Sequence, residues 1–293
     1  MQTVPLNDSS RAGVARLIAS SHERPMDVAT VLSWSKGVDK TLVPKPAEQG
    51  WLAGTPYWEQ LSEAQRHEVL WQETARDVSM FILLEQTIPP LYLGYINKHP
   101  GTMSGAVYEY LMLFSKEEIV HTLMFQRYMQ MAGLGLYAPA GNLHELLTVQ
   151  LPAMPPEFGI SATMVIEWMA ELAAMHASQS QDIEPMTRAM FYEHHVDESR
   201  HIAFGRWVTE SYLEAAPPPA GDKLRGLLRG LMAALIPQFT YNPEIAQHVS
   251  FAFPVAADDQ ARIDEVRGSA SNTALNDKRF APLYGWLRKL SVL

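Results

Sequence analysis

The chain has 293 residues, 47% of them hydrophobic, enough to bury the core of one large domain or two small ones. Its net charge of −9, from 23 basic and 32 acidic residues, argues against nucleic acid and anionic membranes as partners. The absence of cysteine excludes disulfides, thiolate metal sites and cysteine nucleophiles.

The first 55 residues are expected to hold short helices joined by loops. One helix is predicted around residues 10–20 and another within HERPMDVATVLSW, residues 22–34. Proline and glycine in residues 42–56 indicate a loop. The N-terminus lacks a basic start followed by a long apolar run, and no apolar run approaches the roughly 18 residues of a membrane span. We therefore expect a cytoplasmic protein.

Four long amphipathic helices are predicted next, from apolar residues at three- and four-residue spacing. The first begins at Trp58 and ends at Pro89–Pro90, because proline breaks or kinks a helix. The second begins after Ser104, a suitable N-cap residue. The third covers about residues 160–182 and the fourth about 184–216.

Shorter helices are predicted around residues 221–235, 243–250 and 273–290, and strand signals are nearly absent. The sequence therefore predicts an all-α fold, a four-helix bundle with additional N- and C-terminal helices. We expect residues 1–293 to form a single domain whose core bundle covers about residues 55–216.

Two related pentapeptides lie on the second and fourth helices: EEIVH, residues 117–121, and DESRH, residues 197–201. Each places a glutamate three residues before a histidine, Glu118 before His121 and Glu198 before His201. On a helix this spacing puts both side chains about 60° apart on one face. Two such motifs facing each other can hold two metal ions, with a carboxylate from each of the other two helices.

The other two helices offer suitable acids. Glu85, a lone acid in an apolar run, lies 33 residues before Glu118. Glu167 lies 31 residues before Glu198, whereas Glu171 lies 27 residues before it. Because similar spacings place the acids of antiparallel neighbours at similar depth, Glu167 is favoured and Glu171 stays the alternative.

The residues that precede the two motif glutamates are also acidic. Histidines bound to a metal usually donate their other N–H group to a carboxylate. In a crossed arrangement Asp197 would orient His121, and Glu117 would orient His201.

One histidine breaks the symmetry of the two motifs. His194 lies four residues before Glu198, on the same helical face, and is expected to be a seventh ligand. The alternative is a core histidine bonded to a neighbour. His195 points about 100° away, towards the surface or the surroundings of the ligands.

The donor types indicate the metal. Carboxylates with a minority of imidazoles and no sulfur suit iron, with manganese possible, whereas zinc prefers fewer carboxylates. Two Fe(II) ions would activate O2 as co-substrate through a peroxo-bridged diferric unit. The electrons would come from an external donor, because the sequence holds no flavin or nicotinamide motif.

The set Glu85, Glu118-x-x-His121, Glu167, Glu198-x-x-His201 resembles the ferritin-like diiron carboxylate superfamily. With His194 and the chain length, it resembles the para-aminobenzoate N-oxygenase family. The resemblance covers roughly residues 55–215 and implies that these seven residues bind metal in a ferritin-like bundle. It implies a diiron monooxygenase that converts an aryl or other amine to hydroxylamine, nitroso or nitro products in a biosynthetic pathway. The expected partners are a small-molecule substrate, a reductase or electron-donor protein, and a second copy in a homodimer.

Other functions remain open at this point because the same ligands support several reactions. One is a diiron C–H hydroxylase or desaturase. Another is a ferritin-like iron-binding protein, which would form a large spherical oligomer. A third is a radical-generating protein, for which the helices offer several tyrosines: Tyr108, Tyr110, Tyr128 and Tyr192.

Overall fold

The structure, a computed structural model, describes residues 4–98, 103, 105–139 and 141–293. These residues form ten α-helices and no β-strand, so the prediction of an all-α fold is confirmed. The helices are α1 (Asp8–Glu23), α2 (Pro56–Glu59), α3 (Glu63–Lys98), α4 (Ala106–Ala132), α5 (Gly141–Glu145), α6 (Pro156–Ser178), α7 (Pro185–Ala215), α8 (Pro218–Leu235), α9 (Gln260–Arg267) and α10 (Ala270–Lys289).

Helices α3, α4, α6 and α7 form the four-helix bundle that the ferritin-like resemblance implies. Helix α3 packs along α4 and helix α6 along α7, as two antiparallel hairpins. The hairpins meet where α3 contacts α6 and where α4 contacts α7. The additional helices cover the outside: α1 packs on α4 and α7, α8 on α6 and α7, and α10 on α6.

The predicted end of the first long helix at Pro89–Pro90 is wrong, because α3 continues through both prolines to Lys98. A proline inside a helix costs about 3 kcal/mol, so contacts beyond it must offset this cost. Two buried tyrosines in the last turns supply such contacts. The Tyr92 hydroxyl lies 2.6 Å from Thr163 Oγ1 on α6, and Tyr95 donates to the Leu151 carbonyl at 2.6 Å.

The predicted helix within residues 22–34 is also wrong, because turns follow α1 there. The Asp27 side chain accepts a hydrogen bond from the Ala29 N–H at 2.9 Å. Such local side-chain bonds compete with helix formation. Of the predicted helix at 243–250, only a 3₁₀ segment at Pro243–Gln247 is present.

The first long helix begins at Glu63 and not at Trp58, which lies in the separate one-turn helix α2. The predicted N-cap Ser104 lies outside the described residues. Helix α9 was missed by the sequence analysis. Within the described residues, one stretch, Pro156–His176 of α6, has the length and apolarity of a membrane span, but 72% of its 18-residue apolar window is buried inside the protein, as in a core helix.

A buried acid on α3 makes the stability of the fold depend on pH. Glu73 is fully buried and accepts the Trp51 N–H at 2.9 Å, with Lys45 Nζ 3.6 Å away. Burial is the main reason that the pKa of Glu73 rises from 4.5 to about 7. Between these two pH values the folded chain holds a proton that the unfolded chain has lost. The free energy of unfolding therefore falls as the pH rises through this window.

Glu73→Gln should remove this pH dependence of the free energy of unfolding, because the amide cannot ionise. The amide oxygen still accepts a hydrogen bond from the Trp51 N–H. Relative to the variant, the wild-type protein should lose on the order of 1–3 kcal/mol of stability between pH 5 and pH 8. Urea unfolding at several pH values measures this difference. Glu63→Gln, at the exposed start of α3, is the control and should follow the wild type. Parallel curves for wild type and Glu73→Gln would contradict the account.

Candidate metal centre

The four bundle helices each direct one glutamate into the same interior region. Helix α3 contributes Glu85, α4 Glu118, α6 Glu167 and α7 Glu198, and none is more than 3% exposed. Four carboxylates in one apolar interior would be very costly without cations or protons to neutralise them. The bundle therefore needs positive charge at this place.

The first group of candidate ligands is Glu85, His121, His194 and Glu198, with one ligand atom from each lying within 4.8 Å of the others. His121 Nδ1 is 3.2 Å from Glu85 Oε2 and 3.4 Å from Glu198 Oε1. His194 Nε2 is 2.9 Å from Glu85 Oε1 and 3.5 Å from Glu198 Oε1. This geometry can hold one metal ion.

The second group is Glu118, Glu198 and His201, at the same mutual spacing. His201 Nδ1 lies 2.9 Å from Glu118 Oε1 and 2.9 Å from Glu198 Oε1. Glu198 is a member of both groups, so its carboxylate could serve both of them. The structure thus brings six of the seven residues selected from the sequence into two adjoining groups.

Glu167 is the seventh and belongs to neither group, although it lies in the same electrostatic environment. Burial and the negative charge of Glu198 raise its pKa well above the usual value. Neither of its carboxylate oxygens has a hydrogen-bond partner in the described part of the chain. The alternative acid, Glu171, is already used: its oxygens lie 2.6 Å from His194 Nδ1 and 2.8 Å from His195 Nδ1.

In each of the three histidines, the ring nitrogen that faces away from the glutamate cluster contacts another carboxylate. Asp197 Oδ2 lies 3.3 Å from His121 Nε2, and Glu117 Oε2 lies 2.8 Å from His201 Nε2. Glu171 Oε1 likewise lies 2.6 Å from His194 Nδ1. An N–H donated to these acids leaves the inner nitrogen free for a metal, Nδ1 in His121 and His201 and Nε2 in His194.

Arg200 lies between Glu117 and Asp197, the acids that contact His201 and His121. The sequence analysis missed this arginine. It is 6% exposed, and its Nη2 donates to Glu117 Oε1 at 2.9 Å and to Asp197 Oδ1 at 2.8 Å. A cation three residues after Asp197, on the same helical face, was the available signal. The arginine neutralises two acids that would otherwise repel each other behind the histidines.

Aromatic rings enclose the histidines and exclude water. The ring of Phe114 stacks on His201 with centroids 3.6 Å apart. Phe81 and Phe125 meet His194 edge-on at 4.9 and 4.8 Å. Of the tyrosines considered from the sequence, Tyr108 and Tyr192 are exposed, whereas Tyr110 and Tyr128 are buried.

The donor set fits a pair of divalent transition-metal ions. Two such ions bring four positive charges, which balances the four buried carboxylates. Without them, burial and the charges of Glu85 and Glu198 raise the pKa of Glu118 far above its usual value. Oxygen and imidazole donors without sulfur match iron or manganese.

The chain matches one known protein family over most of its length. Residues 7–288 match the family described as P-aminobenzoate N-oxygenase AurF. No curated protein sequence matches the chain. Among solved structures, an R2-like ligand-binding oxidase with an aerobically reconstituted Mn/Fe cofactor is similar. Its TM-score is 0.46 at 13% sequence identity, covering 91% of this chain and 92% of that one.

Proposed function

Since the chain belongs to the p-aminobenzoate N-oxygenase family and is thus a diiron oxygenase, we propose that it oxygenates the nitrogen of an amine. An aryl amine is the first choice of substrate, converted to the hydroxylamine and onward to nitroso or nitro products in a biosynthetic pathway. The pair of buried candidate ligand groups that share Glu198 supports a diiron oxygenase, and the family match supports nitrogen as the atom that is oxygenated.

The proposed ligands of two iron ions, for which manganese can substitute, come from all four bundle helices: Glu85, Glu118, His121, Glu167, His194, Glu198 and His201. Glu198 would contact both ions. Glu167, whose two carboxylate oxygens have no hydrogen-bond partner in the described part of the chain, would supply the fourth carboxylate. When bound, two iron ions would supply the redox chemistry that O2 reduction needs, with electrons from the external donor.

The protein's own residues orient the proposed metal ligands and exclude water from them. Asp197, Glu117 and Glu171 accept the outer N–H groups of the ligand histidines, which holds each ring in one tautomer.

The first oxygenation consumes an amine, O2, two electrons and two protons, and it yields a hydroxylamine and water. A reductase or electron-donor protein would deliver the electrons. We also propose a cytoplasmic, single-domain chain that forms a homodimer.

The experiment is a screen of amines with iron-loaded protein, a chemical reductant and ¹⁸O2, followed by mass spectrometry. N-oxygenation predicts ¹⁸O bound to nitrogen in a hydroxylamine, nitroso or nitro product. Incorporation at carbon would favour the hydroxylase alternative, and loss of hydrogen without oxygen incorporation would favour a desaturase. Either result would overturn the N-oxygenase proposal.

His194→Ala should weaken one iron site while the chain stays folded, because Glu171 keeps its contact with His195. Loss of a residue that only hydrogen-bonds a metal ligand typically lowers metal affinity about 10–100-fold. Loss of an imidazole ligand itself should therefore lower the iron affinity of that site by about 100-fold or more. Iron content after dialysis measures this, with circular dichroism to check the fold.

His195→Ala is the matched control, since this neighbour also contacts Glu171 but is 40% exposed at its side chain. The control should keep both irons. Unchanged iron content and activity in His194→Ala would mean that His194 is a core histidine held by Glu171.

A further inference from the structure

A small cavity with both polar and apolar walls lies outside the candidate metal centre, where the N-terminal segment and α10 cover α3 and α6. Its volume is about 20 Å³. This is enough for one water-sized atom, since about 10–15 Å³ is the minimum. The charged and hydroxyl side chains that line it are Lys45, Thr74, Asp77 and Arg279, and Ala174 and Phe191 form part of its apolar wall.

Two of these side chains each carry a buried donor atom that has no hydrogen-bond partner among the described residues. Arg279 is 6% exposed and makes no hydrogen bond in the part of the chain that the structure describes, and its Nε is buried. Its guanidinium contacts the ring of Trp51, 4.6 Å from the centroid. Thr74 is 1% exposed, and its hydroxyl is likewise unpartnered. Unmet donors of this kind are costly unless a ligand accepts from them.

The charges around the cavity do not balance. Lys45 Nζ lies 2.7 Å from Asp77 and 3.6 Å from Glu73, and Arg76 lies 3.7 Å from Asp77. Arg279 faces the same two acids, so three cations meet two anions.

Slightly farther out, Arg267 and Glu244 add one charge of each sign near Arg76. Burial raises the pKa of Glu73 to about 7, which deepens the deficit of negative charge at neutral pH. Asp77 also lines the cavity, but its negative charge is already neutralised by ion pairs with Lys45 and Arg76.

We propose that this cavity binds one small monovalent anion, which accepts hydrogen bonds from Arg279 and Thr74 and balances the excess positive charge. The size admits a chloride ion or one oxygen atom of a small carboxylate. The site is separate from the metal ligands, and the inference does not depend on the proposed function.

The anion would link α10 and the N-terminal segment to helix α3 of the bundle. Arg279 belongs to α10 and Lys45 to the N-terminal segment, whereas Thr74 and Asp77 belong to α3. The same segments are joined nearby, where Asn272 donates to the Trp51 carbonyl at 2.8 Å and Gln49 donates to the His176 carbonyl at 3.0 Å. Anion binding should therefore stabilise the folded chain.

Crystals of the iron-loaded protein soaked in sodium bromide test the location directly. Bromide is a heavy analogue of chloride, and its anomalous signal should appear within hydrogen-bond distance of Arg279 and Thr74. Addition of formate should displace this signal if the natural occupant is a carboxylate. Bromide that resists formate would identify a halide site.

Thermal unfolding of the iron-loaded protein measures the effect in solution. Chloride, replacing methanesulfonate at constant ionic strength, should raise the Tm in a saturable way. Arg279→Met should abolish the saturable rise, and Arg288→Met, an exposed cation on the same helix, should keep it. Thr74→Val, which replaces a hydroxyl by a methyl group, is the second variant if Arg279→Met does not fold. It should weaken chloride binding by about 5–10-fold.

Two results would overturn the proposal. One is the absence of a bromide signal at this cavity. The other is a chloride effect of the same size in wild type, Arg279→Met and Thr74→Val, which would place the effect elsewhere on the protein.

Discussion

Glu198→Ala should abolish binding of both metal ions, the largest effect expected of any single substitution in this chain. Its Oε1 lies within 3.5 Å of the inner nitrogens of three histidines, and it belongs to both ligand groups. Its removal would take the proposed shared donor from both ions and leave His121, His194 and His201 without the carboxylate that all three contact. Iron content should fall from two per chain to below about 0.2, and oxygenase activity should be lost with it.

The matched control is Glu193→Gln, on the same helix but outside the two ligand groups. It should bind two irons and remain active. Iron should be measured after anaerobic Fe(II) loading, with unfolding curves to confirm that each variant is folded. A folded Glu198→Ala protein that still holds two irons would show that Glu198 is not a shared ligand.

Arg200→Met is expected to have the second largest effect. The arginine holds Glu117 and Asp197, the two acids behind His201 and His121. Without it, two buried carboxylates lose their shared cation, which should cost about 3 kcal/mol of folding stability. The two histidines also become less well oriented, so iron affinity should fall about 10–100-fold.

Urea unfolding and competition with an iron chelator measure these two quantities separately. Arg206→Met, on the same helix, is the control: its side chain is 42% exposed and its ion pair with Glu210 spans 3.8 Å. Exposed pairs contribute about 0–1 kcal/mol, so this variant should lose little stability and no iron. If Arg200→Met lost stability but bound iron as tightly as wild type, Arg200 would have no part in orienting the histidines.

The metal centre was predictable because its spacing follows from helix geometry alone. A glutamate and a histidine three residues apart share a helical face in any context, so EEIVH and DESRH indicated the site before any packing was known. The family follows from the same residues, and the match over residues 7–288 confirms that prediction.

Features that depend on contacts between distant segments were not predictable in this way. Glu167 and Glu171 lie one turn apart on one helix, and only the positions of His194 and His195 show that Glu171 is occupied. The continuation of α3 past Pro89–Pro90 likewise depends on tertiary contacts of its last turns. The domain organisation and the ligand roles of individual residues remain predictions.

The anion cavity illustrates the same limit. Lys45, Thr74 and Arg279 come from three separate parts of the sequence and share no motif. Each alone would be read as an ordinary surface residue, since lysine and arginine are seldom buried. The burial of all three side chains becomes visible only when the terminal segments are placed on the bundle. The same holds for the Thr74 hydroxyl and the Arg279 Nε, which have no hydrogen-bond partner among the described residues.

The most direct test of the diiron centre is the amount of iron bound per folded chain after anaerobic Fe(II) loading and gel filtration, followed by mixing with O2. The account predicts two irons per wild-type chain and a transient visible absorption band after mixing. Fewer than one iron per chain, or two irons that do not react with O2, would contradict it.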